Sequence, residues 1–348
     1  MKSLLQFIKM SKYAGAREDL VQAGGGNSSY KYTQDRMIIK ASGCQLADVT
    51  EDTGYAVVDH KIIKEAFLDM LDIQKLSEEK AKEILARAFI RGGKPSIETF
   101  LHAISDCYSL HTHPIIVNAL ACREDGGAIL QELFPESLIV PYATPGIELA
   151  KQYFSSYKIF KESYKLEPEI IFFMNHGLLV SAPTADKAVL LTEYVTEKIE
   201  NYLGVDFKAY HEATLLQEFF ENGIVWKVND GAVLDFQKKI GNIWKHYFCP
   251  DCVVFLGKEM YEIKDDEFSK EDWISFTEKN IYPVIISYHD HLYIHADSVR
   301  KAMEIQSVLS FSAQVMLLNY EKNVVFLSEQ EKDFLLNWDA EKYRNQMR

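Results

Sequence analysis

The chain has 348 residues, 47% hydrophobic and 26% charged, an ordinary globular composition but longer than one hydrophobic core usually supports, so two domains are expected. A formal net charge of −13 argues against a general nucleic-acid surface and against an anionic-membrane surface. It leaves room for a small anionic substrate held by backbone amides and a few local cations.

In chain order, a helix is expected over residues 14–22, stopped by Ala23-Gly24-Gly25-Gly26-Asn27-Ser28-Ser29. Three consecutive glycines let the backbone approach a ligand closely, and Asn27 with the two serines adds amide and hydroxyl groups. Such a loop can cradle an anion through main-chain N–H groups, or it can be a tight turn. Strands at 30–32 and 37–40, joined at Thr33-Gln34-Asp35-Arg36, would bring Ala41-Ser42-Gly43 back beside Gly26 and Asn27 and favour the anion site. Val57 and Val58 suggest a further strand, and residues 61–72 and 78–90 carry apolar positions at helical spacing.

Gly92-Gly93-Lys94-Pro95-Ser96 breaks the chain, and Pro95 or Ser96 suits the start of a helix. Glu98 then falls in the first turn, where the helix dipole favours a carboxylate, and shares a face with His102. Ser109-Leu110-His111-Thr112-His113-Pro114 reads as the end of a strand. Side chains two apart on a strand share a side, so His111 and His113 form either half of a tetrahedral metal site or a chance pair on an exposed strand end. Helices are expected over 115–122, 128–133 and 148–157, with a strand at 138–140 and the rigid loop Pro141-Tyr142-Ala143-Thr144-Pro145-Gly146 between the last two helices. Strands at 170–174 and 178–180 flank Asn175-His176-Gly177, a bend that presents His176 at the sheet end as a third candidate ligand. A helix over 185–202 follows, opened by Thr184 and closed by Gly204.

Beyond about residue 210 the character changes, and the expectation is a catalytic domain over 1–209 and a smaller α+β accessory domain over 210–348. There, 253–257 reads as a buried strand, 284–288 and 292–295 as a hairpin around a solvent-exposed His289-Asp290-His291 tip, and 297–319 and 328–343 as helices. The five cysteines do not form a secreted disulfide framework, and Cys249 and Cys252 are the single close pair, a weak metal or redox signal by itself. No apolar run is long enough to span a bilayer, and residues 1–10 lack a signal-peptide core, so a cytoplasmic location without membrane or nucleic-acid partners is expected.

Taken together and in order, Gly25-Gly26-Asn27-Ser28-Ser29, Lys40-Ala41-Ser42-Gly43, Pro95-Ser96-Ile97-Glu98, His111-Thr112-His113-Pro114, Pro141-Tyr142-Ala143-Thr144 and Asn175-His176-Gly177 resemble the class II aldolase/adducin family over roughly residues 10–205. The stretch from Glu98 to His113 is similar to the rhamnulose-phosphate-aldolase-like branch. The resemblance implies an α/β fold layered around a mostly antiparallel sheet, assembled as a homo-oligomer, commonly a tetramer with sites at subunit interfaces. It implies that His111, His113 and His176 hold Zn2+ (Mn2+ or Co2+ being alternatives), with Glu98 at the metal as the catalytic carboxylate. Gly26, Asn27, Ser42, Gly43 and Ser96 would hold the phosphate of a sugar substrate. The implied reaction is reversible C–C cleavage of a phosphorylated ketose through an enediolate.

Three departures stand out. Fuculose-phosphate-type members use a tyrosine from the segment after the His-x-His, but none lies between His113 and Pro141; Pro145 replaces a phenylalanine, and Ile97 a second serine. These fall on the aldehyde-handling half and on one phosphate hydroxyl. Pentulose-phosphate epimerases and a sugar-phosphate dehydratase share the scaffold, but the epimerases carry aspartate where Glu98 stands. Adducin-like binding proteins lack the metal histidines, all three of which are present here.

Overall fold

The computed structural model describes residues 2–68, 73–220, 222–241, 247–264, 268–279 and 284–337, and the chain divides into two compact units, Met1–Phe207 and Lys208–Arg348. Among its described residues the first unit holds eight strands: β1 (Asn27–Lys31), β2 (Arg36–Lys40), β3 (Tyr55–Asp59), β4 (Phe89–Gly92), β5 (Tyr108–Thr112), β6 (Leu138–Val140), β7 (Ile170–Phe173) and β8 (Gly177–Ala182). They form one sheet in the order β4-β3-β2-β1-β5-β8-β7-β6, antiparallel at every pairing except β6 with β7. Among the described residues eight α-helices accompany it: α1 (Lys2–Gly15), α2 (His60–Leu68), α3 (Glu78–Ala88), α4 (Thr99–Ala103), α5 (Ile115–Ala121), α6 (Gly126–Leu133), α7 (Ile147–Tyr164) and α8 (Ala185–Leu203).

Alternation along the strands sorts the core into two layers. Tyr108, Leu110, Leu178 and Val180 face α1, α5 and α8, meeting Phe7, Val117, Val195 and Ile199. Ile171, Phe173 and Leu179 face the other way, against Ile63, Ile84, Phe100 and Phe154 of α2, α3, α4 and α7. The central strands are therefore buried on both faces. A one-residue slip of β5 would exchange the faces of Leu110 and His111, so packing on both sides holds the register. This is the mixed α/β fold with a large, mostly antiparallel sheet that the sequence predicts.

Several local expectations are corrected. The first helix covers Lys2–Gly15, not 14–22. Its buried face runs through Phe7, Met10, Ser11 and Ala14, and a side chain at Gly15 would stand 2.2 Å from the Ala47 backbone. Residues beyond it are pulled out of helix by Arg17, whose buried guanidinium pairs with both oxygens of Asp19 and reaches Glu193 of α8 at 2.8 Å. The helix expected over 78–90 gives way at Phe89 to the edge strand β4. After Pro95 the helix begins only at Thr99, with Glu98 at its N-cap. Residues 69–72 of the helix expected over 61–72 lie outside the described residues.

The second unit contains α9 (Lys208–Phe220), β9 (Ile224–Lys227), α10 (Gly231–Ile240), α11 (Pro250–Leu256), β10 (Tyr261–Ile263), α12 (Lys270–Lys279), β11 (Val284–Tyr288), β12 (His291–Ala296), α13 (Val299–Leu318) and α14 (Glu329–Asn337). Its sheet runs β10-β11-β12-β9. The apolar run at 253–257 lies in a helix, not a strand: Cys252, Val253 and Leu256 are its buried positions, at helical spacing, behind Pro250 in the first turn. The β11–β12 turn is solvent-exposed at His289 and Asp290, as expected, and it is also tied down. Nδ1 of His289 and of His291 lies 2.6 and 2.9 Å from the buried carboxylate of Glu212. The 338–343 part of the last expected helix is outside the described residues. Among the described residues no helix is long and apolar enough to cross a membrane.

Candidate active site

The candidate site gathers where β1, β5 and the β7–β8 turn meet. Antiparallel pairing places Asn27 opposite His111 and Ser29 opposite Ser109, so these four side chains share one face of the sheet. His113 follows just past the strand end. Its backbone N–H donates to Leu20 O at 2.8 Å and that of Ile115 donates to Asp19 O at 2.8 Å, so the segment pinned by Arg17 also fixes the second histidine.

His176 arrives from the three-residue turn closed by the Phe173–Gly177 pair. Asn175 takes a left-handed φ of 55°, which asparagine tolerates, and its N–H donates to Ala121 O at 3.0 Å. Asn118 Nδ2 donates to His176 O at 3.1 Å. Gly177 is required by space: a Cβ there would lie 2.3 Å from Thr112 O and 3.0 Å from His113 Cδ2. Gly26, at φ +71°, has the same role on the other side, since its Cβ would meet His111 O at 2.7 Å.

The Nε2 atom of His111 lies 3.2 Å from that of His176 and 3.3 Å from that of His113. Corners of a tetrahedron with metal–nitrogen distances of 2.0–2.1 Å are about 3.3–3.4 Å apart. The Nδ1–H of His111 donates to Leu178 O at 2.9 Å, which leaves the Nε2 lone pair pointing into the cluster. All three rings are pushed towards the neutral form. Burial lowers His111 and His176, His113 is lowered to about 4 by burial and by His176, and the neighbouring rings add to the effect on His111. Three neutral imidazoles aiming lone pairs at one point repel unless a cation lies between them, so the donor set fits a divalent metal.

Glu98 stands beside this group and outside it, with Oε1 3.7 Å from His176 Nε2 and Oε2 accepting from Asn27 Nδ2. Burial raises its proton affinity, opposed by Lys40 and by the Asn27 hydrogen bond. One helical turn on, His102 Nδ1 shares a 2.8 Å hydrogen bond with Ser29 Oγ. Glu98 and His102, four apart on the chain, thus meet Asn27 and Ser29, two apart on the strand.

The proposed anion loops adjoin one another. Lys40, buried except for a few per cent, donates from Nζ to Gly24 O at 3.1 Å and to Cys44 O at 2.7 Å, tying the glycine loop to the loop holding Ser42 and Gly43. Ala41 bridges to Pro95, and Ser42 N–H donates to Lys94 O at 2.8 Å, which brings in Ser96. Ser42 and Gly43 are exposed, while Ser96 Oγ and Asn27 Oδ1 are buried without a hydrogen-bond partner. From the sequence, Lys40 enters only as the first residue of the Lys40-Ala41-Ser42-Gly43 motif, without a role of its own, and Asn118 does not enter. A lone lysine in a strand reads as a solvated edge, and only the loop geometry shows that this one is a clamp.

The fold is similar to solved structures of low identity. The N-terminal class II aldolase domain of a conserved protein from Thermoplasma acidophilum has 24% identity and a TM-score of 0.49, covering 57% of this chain and 92% of its own. An L-fuculose 1-phosphate aldolase has 18% identity and a TM-score of 0.41, covering 64% of this chain and 97% of its own. A sugar-phosphate aldolase from Thermotoga maritima has 17% identity and a TM-score of 0.40, covering 58% and 94%. No match was found among curated proteins. The family described as class II aldolase and adducin N-terminal domain matches residues 6–203, more than half of the chain, and the protein belongs to that family.

Proposed function

We propose that this protein is a divalent-metal lyase that reversibly cleaves a ketose, phosphorylated in our reading, between the carbon next to its carbonyl and the hydroxyl-bearing carbon beyond it. The observation that carries this is the convergence of three neutral imidazoles on one point with the Glu98 carboxylate beside them. His111, His113 and His176 would hold the ion, with Zn2+ first and Mn2+ or Co2+ compatible with the same donors. A bound divalent ion supplies a Lewis acid that polarises the substrate carbonyl and offsets the negative charge of an enediolate.

The chain's own groups do the rest. Glu98 takes the proton at the carbon next to the carbonyl in one direction and returns it in the other. Asn27 holds one carboxylate oxygen, so the other is oriented towards the histidines. Burial raises the proton affinity of the Glu98 carboxyl, which makes it a stronger base than an exposed one. Gly26, Asn27, Ser42, Gly43 and Ser96 would hold the phosphate, with Lys40 fixing the two loops and contributing positive charge.

We assign this chemistry to the first unit and an accessory role to residues 210–348, and we propose a homo-oligomer, as the family resemblance implies, with the cytoplasmic location expected from the sequence. The presence of the complete histidine set favours an enzyme over an adducin-like binding protein. The test is aldehyde release from a panel of ketose phosphates by metal-loaded protein. Glu98→Gln should keep the metal and lose about 100- to 10,000-fold in turnover. Unchanged turnover in that variant would remove Glu98 from the mechanism, and absence of divalent metal binding by the wild type would remove the lyase assignment.

A further inference from the structure

The second unit carries a pair of thiols that the proposed lyase chemistry does not use. Cys249 is the N-cap of α11, in extended backbone at φ −145° and ψ 160°, and Pro250 opens the helix. This geometry turns the Cys249 side chain over the first helical turn towards Cys252, and the two sulfurs lie 3.4 Å apart. A disulfide needs about 2.05 Å, so rotation about the side-chain bonds must bring the sulfurs closer by only ~1.4 Å.

The two thiols are not equivalent. Cys249 is half-buried and Cys252 is fully buried. Cys252 also takes a hydrogen bond from the Ser312 hydroxyl of α13, and burial together with Cys249 pushes its thiol up to about 12. A metal would need further ligands, and among the described residues no histidine, cysteine or carboxylate joins these two in a group of three. Cys44, Cys107 and Cys122 are also free thiols, and no sulfur partner is found for them among the described residues.

We propose that Cys249 and Cys252 are a redox-active dithiol that exchanges with low-molecular-weight disulfides, with Cys249 entering and Cys252 resolving. The Cys249 thiolate attacks one sulfur of the disulfide, forming a mixed disulfide and expelling a thiolate that takes up the proton Cys249 gave to solvent. Cys252 then loses its proton and attacks Cys249 Sγ. The mixed disulfide breaks and the second thiolate leaves, to be protonated in turn. Two protein thiols are oxidised to one disulfide while the incoming disulfide is reduced to two thiols.

The test uses full-length protein equilibrated in mixtures of reduced and oxidised glutathione, then alkylated and digested with trypsin. One tryptic peptide, residues 246–258, contains both cysteines and no other. As oxidised glutathione increases, this peptide should lose both labels together and become lighter by two hydrogens. Cys252→Ser should leave Cys249 carrying glutathione, and Cys249→Ser should leave Cys252 reduced and unmodified. A wild-type pair that stays labelled while exposed Cys122 is oxidised would overturn the proposal without recourse to variants. Protection that vanishes on adding a chelator would make the pair metal ligands and overturn it equally.

Discussion

His102 should make the fold acid-sensitive in a way one substitution can isolate. Its ring is fully buried, and burial, reinforced by Lys31, lowers it from 6.5 to about 3. Above pH 6.5 the ring is neutral in both folded and unfolded chains and contributes nothing to the pH dependence. As pH falls below 6.5 the unfolded chain binds a proton that the folded chain refuses, and stability is lost until pH reaches the folded value near 3. Each pH unit in that window costs ~1.4 kcal/mol, so between pH 6.5 and 4.5 His102 should remove roughly 2–3 kcal/mol.

Glutamine at this position keeps a partner for Ser29 Oγ and removes the titration. Urea unfolding of wild type and His102→Gln, both with chelator, at pH 7 and pH 4.5 measures the effect. The variant is expected to be less stable or equal at pH 7 and to close the gap, or overtake, by roughly 2–3 kcal/mol at pH 4.5. A stability difference that does not change with pH would refute the argument, because other acid-titrating groups are common to both proteins and cancel.

Other perturbations probe the frame around the candidate site. Arg17→Ala strands the buried carboxylate of Asp19 and the half-buried one of Glu193, and should cost about 3–5 kcal/mol in urea unfolding; a loss no larger than that of a surface mutation would mean the pair is dispensable. Gly177→Ala forces a Cβ against Thr112 O and the His113 ring, and should cost about 1–3 kcal/mol while weakening zinc binding in calorimetric titration. Lost stability with unchanged zinc affinity would show that this glycine does not position the histidines. His111→Ala combined with His113→Ala should abolish stoichiometric metal after dialysis, measured by elemental analysis; retained metal would place the ion elsewhere.

Much of the first unit was legible because its signals are local. Thr184 and Gly204 mark the ends of α8, and the apolar alternation at 170–180 with Asn175-His176-Gly177 between marks β7, the turn and β8. Where tertiary contacts override local preference, the sequence pattern misleads. Residues 16–22 have helical spacing, but the buried Arg17 ion pairs draw them into an irregular path. The run at 253–256 is apolar throughout, so periodicity could not separate strand from helix, and only the burial of Cys252, Val253 and Leu256 does. The histidines of the site were visible from their spacing, whereas Lys40 was not, because its importance lies in two carbonyls supplied by loops on either side of it.

The candidate ligands are far apart along the chain and adjacent in space, which has a consequence for folding. His111 and His176 are separated by 65 residues. An ion gripping both would act as a reversible cross-link around a loop of that size, restricting the unfolded chain much as a disulfide does; for such a loop the chain-entropy model gives about 4 kcal/mol. Melting temperature should therefore rise with free metal concentration and fall in chelator, even with no substrate present. The same three rings proposed to hold the metal would also serve as a clasp on β5 and β8, neighbouring strands in the interior of the sheet.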